Sequence, residues 1–174
     1  FPTRRSSDLG KTPLTVELLR NGEKKVFTIT PKKDETGAYR IGILAGYKYD
    51  FPVKVNLELA DVGGPSGGMM FALGIYDKLT PGQLTGGKDI AGTGTIDGAG
   101  VVGPIGGIQQ KMFGAKNAGA QYFLAPKENC AEVVGHIPAG LKVFKVTNFT
   151  EALNAVKEIG RGADLSSLPT CATK

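Results

Sequence analysis

The sequence predicts an α+β domain of mixed sheets and helices, preceded by a β-hairpin. Three observations carry this. Two apolar-alternating runs flank Asn21-Gly22, and a glycine-dense stretch keeps apolar residues at helical intervals, with 17 of the 26 glycines inside residues 63–119. Beyond residue 88, short strand-like runs alternate with helix-like ones.

Taken in chain order, Phe1 to Leu9 (FPTRRSSDL) match the in-frame translation of a common sequencing adapter and are set aside, with upstream sequence expected to be missing. Leu14 to Thr30 holds the runs LTVELL and KVFTIT around Arg-Asn-Gly-Glu, and Asn21-Gly22 has the residue types that a type I′ turn demands. Two strands cannot bury a core, so this hairpin reads as the end of a truncated domain. Lys32 to Ala38 is polar and turn-rich, Tyr39 to Leu44 returns to apolar residues, and a domain boundary is expected in Gly46 to Pro52.

The run Val53 to Leu59 alternates at period two, which predicts a half-buried strand with Val53, Val55, Leu57 and Leu59 facing a core. A helix is predicted to begin at or beside Ser66 and to run to Leu79, with Met69, Met70, Leu73 and Tyr76 on one face. Short strands follow at Asp89 to Thr95 and Val101-Val102 around an Asp97-Gly98 turn. A helix over Ile108 to Ala118 has Ile108, Met112 and Ala115 on one face, and Tyr122 to Leu124 and Val143 to Val146 read as strands before a last helix over Phe149 to Ile159.

Composition removes several classes of function. One histidine (His136) and two cysteines (Cys130 and Cys171) cannot assemble a His/Cys zinc site, and no cofactor or metal is expected. A histidine-based hydrolase would have to use His136. No apolar run approaches the roughly 18–20 residues that span a bilayer. The net charge of +5 is scattered rather than blocked, which argues against a nucleic-acid partner. The stretch from Gly82 (GQLTGGKD) has P-loop-like spacing but Asp89 where Ser or Thr must hold magnesium.

The chemistry concentrates at GGPSGG. Ser66, at a helix start, would have free backbone amides and the helix dipole beside it, suited to a developing oxyanion. An N-cap serine would occupy the same position. A serine nucleophile needs a base, and Lys111, 45 positions later on the helix after PIGG, is the candidate. To act as a base near neutral pH, a lysine must fall from about 10.4 to roughly 7–8, which an apolar, dry pocket would do. A solvated surface lysine fits the same spacing.

GPSGG together with IAGTGTIDGAGVVGPIGGIQQKMFGAKNAGA resembles the proteolytic domain of Lon-type peptidases, over about residues 53–158. The resemblance implies that Ser66 is the nucleophile, Lys111 the general base, and Thr93 a hydroxyl that helps hold the lysine. Gly64 and Pro65 are the supporting residues of the serine motif, and the Ser66 amide contributes to the oxyanion hole. One departure is Gly63, where Lon sequences often carry an acidic residue.

The hairpin pattern with Leu18, Arg20, Gly22 and Phe27 is similar to the last strands of PDZ domains, and FALGIYDKLTPGQLTGG resembles an ATP-independent, membrane-anchored bacterial PDZ-Lon family. This implies a PDZ fragment over 10–45, a protease domain over 46–160 and a tail over 161–174. It also implies protein or peptide substrates, homo-oligomers that are hexamers in many Lon-type domains, and a catalytic domain outside the cytoplasmic membrane, held by an N-terminal anchor. Cys130 and Cys171 form a disulfide or remain two separate thiols. The rival functions are a catalytically idle Lon-fold scaffold and a PDZ-based peptide-binding adaptor.

Overall fold

The computed structural model describes residues 10–43, 53–56 and 64–171. The chain divides into two compact units, residues 1–54 and 55–174. The expected boundary in Gly46 to Pro52 lies outside the described residues.

In the first unit, β1 (Leu14–Arg20) pairs antiparallel with β2 (Glu23–Ile29). Asn21 and Gly22 both have positive φ, 54° and 82°, as a type I′ turn requires. The register places Leu14 opposite Ile29 and Val16 opposite Phe27, so these four share one face, while Leu19 and Val26 lie on the other and are exposed. The polar stretch after it also forms structure that the sequence reading leaves as loop: β3 (Lys32–Lys33) pairs with β4 (Tyr39–Arg40). Asp34 organises that turn, accepting from the Thr36 and Ala38 amides and the Thr36 hydroxyl, and pairing with Arg40.

The second unit is built on a parallel sheet of β5 (Ile90–Gly92), β8 (Tyr122–Pro126) and β9 (Lys142–Val146), in the order β5-β8-β9. An antiparallel ribbon, β6 (Thr95–Ile96) with β7 (Val102–Gly103), turns at Asp97, whose carboxylate accepts from the Ala99 and Val101 amides. Four helices complete the unit: α1 (Gly68–Leu79), α2 (Ile108–Asn117), the single turn α3 (Cys130–Val133) and α4 (Phe149–Arg161).

The strand period divides the core between the two faces of the sheet. Leu124, Phe144 and Val146 pack with Met69 and Leu73 of α1 and with Val156 and Ile159 of α4. Their neighbours Phe123, Ala125 and Val143 pack with Ile108 and Met112 of α2 and with Val133 of α3. Helix α4 starts at Asn148, which caps the Glu151 amide while the Glu151 carboxylate accepts from Thr147 N–H, and it stops at the left-handed Gly162. The segment after it lies along β9, with Lys145 N–H donating to Pro169 O, and is tied back by a Cys130–Cys171 disulfide.

The expected strand over Val53 to Leu59 is described only in part. Residues 53–56 form no strand, and Val53 and Val55 are 46% and 45% exposed, whereas Leu57 and Leu59 lie outside the described residues.

Candidate active site

The turn that carries Ser66 is shaped by its neighbours. Gly64 adopts φ 84°, Pro65 opens a 3-10 turn over Pro65–Gly67, and that turn runs directly into α1. The caps of both helical segments are glycines, Gly64 and Gly67, with no side-chain cap bond. Ser66 is therefore not an N-cap, and its hydroxyl is left for other work. Glycines keep this turn close to its neighbours: a Cβ on Gly67 would come within 2.9 Å of the Phe71 ring and one on Gly68 within 3.2 Å of Ile96.

The segment after β5 fixes this turn. Ser66 C=O accepts from the Gly94 amide at 2.8 Å and from the Thr93 hydroxyl at 2.9 Å, while Met69 N–H donates to Gly94 O at 3.0 Å. Thr93 is 3% exposed. The Thr93 hydroxyl holds the serine's own backbone carbonyl, and among the described residues it makes no bond to Lys111. A buried hydroxyl takes the nearest strong acceptor, and the Ser66 carbonyl is that acceptor.

Lys111 arrives from the opposite direction. After β7 ends at Gly103, the chain passes through Pro104 to Gly107, where Gly107 takes φ 70° as the cap of α2, and Lys111 N–H donates to Gly107 O at 3.2 Å. Ile108 and Met112 bury the core face of α2. Lys111 extends from its flank, and its Nζ lies 3.4 Å from Ser66 Oγ, joining residues 45 apart in the chain. The Lys111 side chain is exposed, not enclosed in the dry pocket expected for it, because α2 packs on the sheet through its other face only.

The remaining candidates are separated from this pair. His136 is exposed in the loop after α3 and its Nδ1 sits 3.1 Å from Val134 O. Cys130 is in a disulfide, so a Cys130–His136 thiol centre is not available. The P-loop-like residues pack as backbone on backbone: a Cβ at Gly86 would fall 2.0 Å from Gly160 O. Among the described residues no group of three His, Cys, Asp or Glu side chains could hold a metal, and no helix is long and apolar enough to cross a membrane.

Residue-by-residue reading misses Asn129. It is 2% exposed, accepts from Ile105 N–H at 3.0 Å, and donates from Nδ2 to Ile105 O at 2.9 Å and to a Glu132 carboxylate oxygen at 2.8 Å. Nothing in its sequence neighbourhood, Lys-Glu-Asn-Cys, distinguishes it from a surface asparagine.

With a serine and a lysine brought together from a GPSGG turn and a PIGG-led helix, residues 50–159 match the Lon protease (S16) C-terminal proteolytic domain. The chain belongs to this family. The α+β architecture is that of a Lon proteolytic domain. Its curated relatives include Lon protease 1 of Herpetosiphon aurantiacus, 32% identical over 135 residues, which covers 78% of this chain and 16% of the relative. Lon protease 1 of Bacillus subtilis is 32% identical over 152 residues, 83% of this chain and 19% of the relative. The Lon protease of Solibacter usitatus is 28% identical over 179 residues, 94% of this chain. The chain thus spans 16% to 22% of the length of these Lon proteases.

Proposed function

We propose that this Lon-type domain is an ATP-independent serine endopeptidase in which Ser66 is the nucleophile and Lys111 the general base. The observation that carries the reading is the 3.4 Å approach of Lys111 Nζ to Ser66 Oγ, beside a serine free of any capping bond. In this scheme a neutral Lys111 takes the Ser66 proton as Oγ attacks the substrate carbonyl. The tetrahedral oxyanion forms beside the amides at the start of α1, and its collapse expels the amine, which leaves with the proton from Lys111. Water deprotonated by Lys111 then attacks the acyl ester, the acid product leaves, and Lys111 passes the proton to Ser66 Oγ, restoring both groups. A separation of 3.4 Å is long for proton transfer, and such pairs tighten when substrate fills the site. Because Lys111 is exposed in the single chain, bound substrate or a neighbouring copy supplies the water exclusion the base needs.

Protein or peptide substrates fit the protease relatives, with substrate pairing its backbone to a strand beside the site, and assembly of several copies rests on the resemblance to Lon-type domains. ATP independence, a PDZ origin for the β1–β2 hairpin and an anchored domain outside the cytoplasmic membrane rest on the resemblance of 10–45 and of FALGIYDKLTPGQLTGG to the PDZ-Lon family. The Cys130–Cys171 disulfide is consistent with an oxidising compartment.

The test is hydrolysis of casein by the full chain with and without ATP, beside folded Ser66→Ala and Lys111→Ala variants. The expected outcome is turnover that ignores ATP and disappears in both variants. Binding without turnover, unchanged by Ser66→Ala, would instead favour the scaffold or adaptor function.

A further inference from the structure

Among the described residues only two polar side chains are buried, Thr93 and Asn129. Thr93 bonds the backbone of the turn that carries Ser66. Asn129 bonds both the N–H and the C=O of Ile105, in the loop that leads to Lys111. A side-chain amide that engages both groups of one residue imitates a strand partner. Ile105 needs such a partner, because β7 has ended at Gly103 and α2 begins only at Ile108.

We propose that Asn129 is a positioning residue for the Ser66–Lys111 pair. This rests on the dyad reading. Asn129 fixes Ile105; two residues later Gly107 caps α2, and its carbonyl accepts from the Lys111 amide, so the backbone origin of the lysine is set from the Asn129 side. Glu132 holds the Asn129 amide from outside, and the Glu132 carbonyl accepts from Gln109 Nε2 on α2 at 3.1 Å. Asn129 reaches neither Ser66 nor Lys111, so it acts through the loop and not on substrate.

A displacement of about 1 Å at a reacting group costs up to about 100-fold in rate. Asn129→Ala in the full chain is therefore expected to lower kcat for casein about 10- to 100-fold with KM within about twofold, and to deprotect the Ile105 amide in hydrogen exchange. Glu132→Ala, on the exposed side of the clamp, is expected to give a smaller fall in kcat and partial loss of Ile105 protection. It decides the matter if Asn129→Ala does not fold.

Undiminished kcat in folded Asn129→Ala, or a fall in kcat while the Ile105 amide stays protected, overturns the positioning role while leaving the dyad intact. If Asn129→Ala does not fold, unchanged kcat and unchanged Ile105 protection in Glu132→Ala overturn it equally. An inert wild type, or hydrolysis that survives Ser66→Ala or Lys111→Ala, overturns the dyad and this role with it, and is recognised by the dyad variants alone.

Discussion

Ser66, the proposed nucleophile, is held in place by its backbone. Its carbonyl is engaged twice, by Gly94 and Thr93. Thr93→Val keeps the shape and removes one of the two donors, so a loss of about 1 kcal/mol in unfolding free energy is expected, because the Gly94 bond remains. A larger effect on kcat than on stability should accompany it; denaturant melts and casein kinetics on the same sample check both. Lys111→Arg should be as inactive as Lys111→Ala, because a guanidinium holds its proton throughout the working pH range. The GPSGG and PIGG motifs made both members of the pair legible as a family resemblance. The bonds of Thr93 and Asn129 were not, since a buried polar residue reads like an exposed one until its surroundings are known.

Elements with several periods of pattern were readable: α1, α2 and α4 and the strands β8 and β9 lie within a few residues of their expected spans. Among shorter ones, the strands around the Asp97-Gly98 turn were marked by that turn, whereas α3, with four residues, and β3–β4, with two per strand, are too short to display a period. Glycines dictate how elements approach. Gly86→Ala is expected to destabilise strongly, by about 3 kcal/mol or more, because the new Cβ would fall on Gly160 O and the residue needs φ +57°; thermal melts against Gly87→Ala, where no atom lies within 4 Å, separate contact from conformational strain.

In the β3–β4 turn, the Thr36 hydroxyl, and then Arg40, hold the Asp34 carboxyl well below the usual carboxylate range. A depressed folded pKa stabilises at pH above the unfolded value of about 3.9 and loses that contribution as pH falls through the folded one. Ala38 amide exchange should therefore accelerate on acidification beyond its intrinsic trend, and Asp34→Asn should abolish the excess.

Over the whole molecule, the disulfide is the longest covalent constraint, closing 41 residues from α3 to the segment beside β9. The loop-entropy estimate for that closure is about 4 kcal/mol, so reduction, or a Cys171→Ser variant, should lower the melting temperature clearly while leaving the pair at Ser66 and Lys111 unbroken. The fold brings together Ser66 and Lys111, which precede and follow the β6–β7 ribbon in the chain, and leaves the lysine open to solvent, so the proposed function turns on the covalent step. Acid-quenched mass spectrometry of the full chain with an activated peptide ester tests it most directly. An acyl adduct on the peptide containing Ser66, strongly diminished in Lys111→Ala, is the predicted result; hydrolysis without that adduct, an adduct on another residue, or undiminished acylation without Lys111 would contradict it.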